Sequence, residues 1–171
     1  MSDSCSLGGH PISTLEYFDS DHAHDQVTRW SVSGILCFVG LTHISWTIKT
    51  QGTIKRSSYS AEFCAGQVAT ETAIALWYMW RSFSVPVKCA TERFGDNKGM
   101  IIYFTNTWLE LKKKNVAISY HKFQESAAVK IVNPLKVCKT INQANILNKG
   151  VSAGTLGILY DASYGVDWWE N

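Results

Sequence analysis

Three acidic residues stand at positions where a folded chain could bring them together. Asp19 ends a predicted strand at residues 15–19, Glu62 lies near the start of a predicted helix, and Asp96 follows a later predicted strand. If the two strands run side by side in parallel, their carboxyl ends meet at one sheet edge, where ligands bind in open α/β sheets. Crowded carboxylates need cations, and their oxygen atoms favour Mg²⁺ or Mn²⁺. Two such ions about 4 Å apart support phosphodiester hydrolysis.

The alternative interpretation of these acids is structural. The chain has 14 acidic residues, which offer many possible triples. Acidic residues are also common in the first turn of helices, because the positive end of the helix dipole stabilises negative charge there. Both interpretations of Glu62 therefore stay open on spacing alone.

A long amphipathic helix, predicted over residues 57–83, would position Glu62. Its apolar side chains recur at spacings of three and four, with one step of six, which is typical of a helix that lies on a sheet. These side chains are Phe63, Ala69, Ala73, Leu76, Trp77, Trp80 and Phe83. Ser57, Ser58 and Ser60 offer hydroxyl groups that can cap the first turn.

The remaining pattern predicts an α/β domain with a mixed five-stranded sheet flanked by helices. Strands are predicted at 15–19, 31–39, 44–48 and 87–94, and within 128–135, where Pro134 stops the strand. Shorter helices are predicted at 100–104, 109–128 and 142–148. In the third strand Ile44, Trp46 and Ile48 alternate with polar residues, which is the pattern of a half-buried strand.

Composition limits the class of protein. The 171 residues are 46% apolar and 18% charged, which is ordinary for one globular domain. The net charge of +2 is too small to indicate nucleic-acid binding by itself. Five scattered cysteines without a Cys-x-x-Cys pair predict reduced, mostly buried thiols in an intracellular protein. No apolar run is long enough to span a membrane, and the first residues lack a signal-peptide core.

Other polar groups have weaker patterns. Asp21, His22, His24 and Asp25 form a metal-like group, although a solvated loop is the simpler interpretation. His121 is expected to be a packed or surface side chain. The candidates for phosphate contacts with a nucleic acid are Asn97, Lys98, Lys112, Lys113 and Lys114. A lysine run is also the ordinary pattern of a solvated helix face.

Several runs of the chain together resemble one known family. They are FDSDHAHDQVTRWSVSGILCFVG, ISWTIKTQGTIKRSSYSAEF, FGDNKGMI, KKKNVAISYH and QANILNK, in unbroken order over residues 14–151. The paired serines that lead to Ala61-Glu62-Phe63 are the most specific motif. These runs resemble the ribonuclease H domain of copia-type LTR retrotransposons, which closes the Pol polyprotein after the reverse transcriptase. The resemblance implies a ribonuclease H-like fold and cleavage of the RNA strand of RNA–DNA hybrids. It also implies that Asp19, Glu62 and Asp96 are catalytic ligands of two Mg²⁺ or Mn²⁺ ions.

The chain departs from the family pattern at three positions. Asn145 stands where the family has a fourth catalytic acid, so an oxygen atom is kept and a charge is lost. Ser84 stands where the family usually has glycine, and a positive φ angle there would cost serine about 1 kcal/mol. Arg93 stands in a strand position that is usually apolar, where burial is expensive unless the charge is paired or reaches solvent. These changes are typical of a decaying or repurposed copy.

The sequence therefore predicts a ribonuclease H-like domain over residues 14–151, after a loose lead-in at 1–13 and before a tail at 152–171. Its catalysis is expected to be impaired by the loss of the fourth acid. The alternative is a catalytically dead nucleic-acid-binding or interaction module on the same fold. A transposase or integrase core is disfavoured, because those enzymes usually place their glutamate last. Expected partners are an RNA–DNA hybrid and the reverse transcriptase domain of the same polyprotein, without a membrane. The expected location is intracellular, in the cytoplasm, the nucleus or virus-like particles.

Overall fold

A computed structural model of the protein describes residues 9–22, 27–54, 57–105 and 114–150, together with Gly154. The described residues form strands β1 Thr14–Asp21, β2 Val32–Val39, β3 Thr42–Thr50, β4 Thr91–Gly95 and β5 Val132–Lys136. They also form helices α1 Ser58–Ser82, α2 Lys98–Thr105, α3 Lys114–Ala128 and α4 Asn145–Asn148, with a 3₁₀ turn at Lys139–Ile141. Predictions for His24, Asp25, Lys112, Lys113, residues 1–8 of the lead-in and all of the tail except Gly154 fall outside these residues.

The sheet has the strand order β3-β2-β1-β4-β5. β1 pairs with β2, and β2 with β3, in antiparallel fashion, whereas β1 pairs with β4, and β4 with β5, in parallel. The predicted mixed five-stranded sheet is therefore confirmed. Because Tyr17 pairs with Phe94, the parallel strands β1 and β4 bring their carboxyl ends to the same edge.

The core lies between the sheet and the helices. Phe18 of β1 and Ile35 of β2 are fully buried beneath α1, where Phe63, Ala65 and Ala69 pack against the sheet. Gly95 ends β4 under the Phe18 ring, and a Cβ atom at this position would overlap that ring. The close packing of Phe18 on Gly95 therefore holds the ends of β1 and β4 together.

Two predictions for the strands are wrong. β5 continues through Pro134, which pairs with Arg93, because β5 is an edge strand and proline's missing N–H group is tolerated there. β3 does alternate, but Ile44, Trp46 and Ile48 are its more exposed residues, with Trp46 64% exposed. The helices explain this second difference, since α1 packs mainly on β1 and β2 and leaves β3 at the open edge of the sheet.

Two further expectations fail at the surface. Phe83 is exposed, because the fully buried stretch of α1 ends at Ala73 and the last turns of the helix extend past the core. Among the described cysteines Cys37 is buried and Cys64 is half-buried, whereas Cys89 and Cys138 lie exposed in connecting segments. The prediction of mostly buried thiols is therefore wrong for this part of the chain. No helix among the described residues is long and apolar enough to cross a membrane.

The structure explains two of the three departures from the family pattern. Ser84, two residues after α1, has a φ angle of 56° and so does occupy the left-handed region that glycine prefers. Arg93 is fully buried, and its Nε atom donates to Glu16 Oε2 at 2.9 Å. The Nη1 atom of Arg93 donates to Thr70 Oγ1 at 2.6 Å. The buried arginine is thus paired, which meets the condition on which its burial was expected to be tolerated.

Candidate functional site

Asp19, Glu62 and Asp96 converge at the sheet edge where β1 and β4 end. Each carboxylate has an oxygen atom within 4.8 Å of an oxygen atom of the other two. Asp19 and Glu62 are buried, and Asp96 is half-buried. The juxtaposition expected from strand ends and a helix start is therefore present, and it leaves one acid accessible from solvent.

The parallel pairing of β1 with β4 positions the two aspartates. β1 delivers Asp19, and Asp96 directly follows the last residue of β4. The N-terminus of α1 delivers Glu62. Ser57 caps this helix by accepting a hydrogen bond from the Ser60 N–H group at 3.2 Å. Glu62 is the fifth helical residue, so it lies near the start of α1 as predicted, just beyond the first turn.

Gln51 connects the elements that position the carboxylates, and sequence reasoning missed it. Its buried Nε2 group lies 2.8 Å from the Ala61 carbonyl oxygen and 2.9 Å and 3.2 Å from the hydroxyl groups of Ser33 and Ser20. Ser20 follows Asp19, and Ala61 precedes Glu62. A single side chain from the segment after β3 thus ties β1, β2 and the start of α1 together. A polar residue between a strand and a helix carries no sequence signal for such a role.

Burial and mutual repulsion set the charge of the carboxylates. Burial, followed by the charges of Asp19 and Asp96, raises the pKa of Glu62 to about 9. Burial and then the charge of Asp19 also raise the pKa of Asp96. A carboxylate that only stabilised its helix would have a lowered pKa. The environment of Glu62 therefore disfavours its ionised form, and a positive charge is needed to hold the three acids together as anions.

Lys149 supplies one such charge and was also missed. Its Nζ atom lies 2.5 Å from Asp19 Oδ2 and donates to Asn145 Oδ1 at 2.8 Å. The positive charge of Lys149 acts to lower the pKa of both Glu62 and Asp96. The residue follows α4 directly, so its spacing of four from Asn145 was the available signal.

Asn145 opens α4 next to the acids, and both polar atoms of its amide group bind protein groups. The Nδ2 group donates to the Lys139 carbonyl oxygen at 2.7 Å, and Oδ1 accepts from Lys149. The amide oxygen that Asn145 keeps in place of the fourth acid therefore binds the Lys149 ammonium group. Lys149 thus lies between Asn145 and Asp19.

The three acids fit a divalent cation. Asp19 Oδ1 and Glu62 Oε2 are buried oxygen atoms without a hydrogen-bond partner among the described residues. Three converging carboxylates provide the hard oxygen ligands that Mg²⁺ and Mn²⁺ prefer. A cation bound between them would also remove the cost of ionising Glu62.

The other candidate residues lie at the end of β1, at the start of α2 and on α3, or outside the described residues. Asn97 follows Asp96, and its Oδ1 atom accepts from the Met100 N–H group at 3.2 Å at the start of α2. Lys98 is exposed beside it. Lys112 and Lys113 lie outside the described residues, and Lys114 opens α3. Asp21 ends β1, and His121 lies exposed on α3.

Sequence comparison finds relatives among retrovirus-related Pol polyproteins. The chain is 27% identical over 130 residues to the Pol polyprotein from transposon RE1 of Arabidopsis thaliana, which covers 73% of this chain and 9% of the relative. It is 28% identical over 149 residues to the Pol polyprotein from transposon TNT 1-94 of Nicotiana tabacum, and this match covers 86% of this chain and 11% of the relative. The chain thus spans about a tenth of the length of these curated relatives. No protein-family profile matches it.

Structure comparison finds ribonuclease H domains. The N-terminal RNase H domain of a Mycobacterium tuberculosis protein has a TM-score of 0.59 at 14% identity, covering 89% of this chain and 96% of that one. LC11-RNase H1 in complex with an RNA/DNA hybrid has a TM-score of 0.59 at 12% identity, covering 79% and 93%. The prototype foamy virus protease-reverse transcriptase has a TM-score of 0.51 at 16% identity, covering 98% and 23%. These likenesses confirm the expected ribonuclease H-like fold.

Proposed function

We propose that this chain, a ribonuclease H-like domain related to the Pol polyproteins of copia-type retrotransposons, cuts the RNA strand of RNA–DNA hybrids by metal-dependent hydrolysis. The observation that carries the proposal is the convergence of Asp19, Glu62 and Asp96 at the edge where β1 and β4 end. On this fold no other described group of acidic, cysteine or histidine side chains gathers in the same way.

The roles of the three acids follow from their burial. Asp19 and Glu62 are buried and would anchor the cation, whereas the half-buried Asp96 would share it with the substrate phosphate. Divalent cations held there would polarise the attacking water and neutralise charge on the phosphate and the leaving oxygen. Hydrolysis of this kind leaves a 3′-hydroxyl and a 5′-phosphate. The Gln51 contacts keep the end of β1 and the start of α1 at the separation that this chelation requires.

Substrate recognition is proposed to depend on duplex shape. Proteins read A-like duplexes by their 2′-hydroxyl groups and phosphates, since the deep major groove hides the base edges. LC11-RNase H1, which shares this fold, has been crystallised with an RNA/DNA hybrid. Asn97, Lys98, Lys112, Lys113 and Lys114 remain the proposed phosphate contacts, with Lys98 exposed next to the acids.

The reverse transcriptase of the same polyprotein is the proposed protein partner. The chain covers about a tenth of its Pol relatives, and in the foamy virus protein the matching region belongs to a protease-reverse transcriptase chain. A ribonuclease H domain in this arrangement would remove RNA from the hybrid that reverse transcription produces. Its proposed location is intracellular, in the cytoplasm, the nucleus or virus-like particles.

The second candidate is a catalytically dead module that still binds nucleic acid. Asn145 favours it, because an uncharged amide in place of the fourth acid weakens the hold on a second divalent ion. The structure adds that this amide already binds Lys149 and Lys139. The two candidates therefore differ in cleavage and not in fold.

Cleavage of a labelled hybrid by the full chain separates the two candidates. With the wild type we expect slow cleavage that is faster in Mn²⁺ than in Mg²⁺ and absent with EDTA. Asn145→Asp restores a negative charge beside Asp19 and should raise the rate several-fold, with Asp96→Asn as the inactive blank. Absence of cleavage by both proteins in either metal would favour the dead module.

A further inference from the structure

Lys149 occupies the side of the acid cluster that faces Asn145. Its Nζ atom contacts one oxygen of Asp19 at 2.5 Å and the amide oxygen of Asn145 at 2.8 Å. The other Asp19 oxygen, Oδ1, is buried without a hydrogen-bond partner among the described residues. Oδ2 likewise has no hydrogen bond among the described residues, so the two oxygen atoms of Asp19 differ only in that the ion pair with Lys149 involves Oδ2.

Contacts of α4 and of the segment before it hold Lys149 beside Asp19. Lys149 is the residue directly after α4, and its backbone N–H group donates to the Asn145 carbonyl oxygen at 3.0 Å. α4 packs against β1 and β2, and Gly34 of β2 permits the close approach of Leu147. Asn142 donates to the Phe18 carbonyl oxygen at 3.0 Å, which ties the preceding segment to β1 next to Asp19.

We propose that the Lys149 ammonium group is a built-in cation that takes the place of one divalent ion, so that the acid cluster binds a single Mg²⁺ or Mn²⁺ ion. This inference rests on the proposed metal-dependent function and specifies its stoichiometry. Hydrolysis by two cations needs two positive centres about 4 Å apart. The Lys149 ammonium group, which is part of the chain, supplies one of these positive centres. It lies on the side of the cluster where Asn145 stands in place of the family's fourth acid.

The amide at position 145 suits a lysine better than it suits a divalent ion. A neutral amide oxygen accepts a hydrogen bond from an ammonium group, while divalent ions prefer carboxylates on hard-ligand sites. The Lys149 side chain is 26% exposed, so it can leave Asp19 without unfolding of the domain. A second divalent ion would have to displace it and should therefore bind only at high concentration.

Manganese titration of the full chain tests this inference directly. The number of bound Mn²⁺ ions and their affinities are measured by calorimetry and by the electron paramagnetic resonance signal of the free ion. We expect one tightly bound ion in the wild type. Lys149→Met removes the charge and keeps the length of the side chain, so it should admit a second ion or tighten the first by about tenfold or more.

Matched variants separate charge from packing. Lys149→Arg keeps the positive charge and should still bind one ion. Lys122→Met removes a lysine from an exposed ion pair with Glu71 and should titrate like the wild type. Thermal melting shows whether each variant is folded, and Lys149→Gln is the substitute if Lys149→Met is not.

Three outcomes would count against the inference, and they are distinguishable. A wild type that binds two Mn²⁺ ions with similar affinity and cleaves hybrid overturns the role of Lys149 and leaves the proposed function intact. An unchanged number and affinity of ions in Lys149→Met also overturns it. Absence of Mn²⁺ binding by every variant, with no cleavage, overturns the proposed function together with the inference.

Discussion

The Arg93 guanidinium group is 1% exposed and faces the carboxylate of Glu16 across the two central parallel strands. Burial opposes ionisation of both partners, because it lowers the pKa of Arg93 and raises that of Glu16 to about 7. Their mutual attraction acts against this cost in each case. The pair is thus tolerated in the core because the two charges lie together, and each depends on the other.

Removal of one member of this pair should lower the free energy of unfolding much more than removal of both. Arg93→Met or Glu16→Leu alone leaves a buried charge without its partner, which typically costs about 3–5 kcal/mol of unfolding free energy. The double variant should recover most of this loss, because well-packed apolar side chains often replace a buried ion pair at little cost. Urea denaturation of the four proteins measures the coupling. Additive losses in the double variant would contradict the coupling.

The same pair predicts how stability depends on pH. Burial raises the pKa of Glu16 in the folded state from 4.5 to about 7, so its ion pair with Arg93 is fully formed only above this pH. Between these values the folded state binds more protons at Glu16 than the unfolded state does, so Glu16 alone lowers stability by about 3 kcal/mol as the pH rises. Urea midpoints between pH 4.5 and pH 7.5 measure this decline. The Glu16→Leu/Arg93→Met variant should show a shallower decline, and an equal decline would exclude Glu16 as its source.

At the scale of elements, Ser84 has an unfavourable backbone conformation just after the end of α1. Its φ angle of 56° is unfavourable for a residue with a side chain, while its N–H group still donates to the Arg81 carbonyl oxygen at 3.0 Å. Ser84→Gly should therefore raise the free energy of unfolding by about 1 kcal/mol. Ser82→Gly, inside the last turn of the helix, should lower it by up to about 1 kcal/mol. Thermal melting of both variants checks the prediction, and a loss of stability in Ser84→Gly would refute it.

The elements also show which features of the fold and the site could be predicted from the sequence. The positions of Asp19, Glu62 and Asp96 predicted their convergence only on the condition that β1 and β4 pair in parallel, and the structure meets this condition. The faces of β3 were not predictable from alternation, since the pattern does not say which strands a helix will cover. The prediction that Pro134 stops the strand was wrong for a similar reason, because only the sheet order shows that β5 is an edge strand.

Two site residues were beyond sequence reasoning because their roles arise from tertiary contacts. Gln51 acts through three elements that are distant in sequence. Lys149 reaches Asp19 across 130 positions of the chain, and its spacing of four from Asn145 indicates a contact with Asn145 but not one with Asp19. The loss of charge at Asn145 was visible in the sequence, but the cation that binds its amide was not.

At the scale of the whole molecule, the fold matches ribonuclease H domains over most of their length, while the chain matches only about a tenth of its Pol relatives. The five-stranded sheet, the helices packed on it and the converged acids are features that the proposed nuclease activity requires. The chain's weak net charge of +2 offers little general attraction to nucleic acid. If the proposed association with a reverse transcriptase holds, that partner would supply a larger part of substrate binding.

The most direct test of the central claim is cleavage of an RNA–DNA hybrid, labelled at the 5′ end of the RNA, by the full chain in Mn²⁺. The wild type should cut the RNA within the hybrid and leave the same RNA intact when it is single-stranded. Asp96→Asn should lose at least about 100-fold in rate, because it removes a ligand that stabilises the transition state. Glu92→Gln, on the same strand and outside the acid cluster, should cleave like the wild type. Cleavage that survives Asp96→Asn, or no cleavage by the wild type at any Mn²⁺ concentration, would contradict the claim that these three carboxylates form a ribonuclease site.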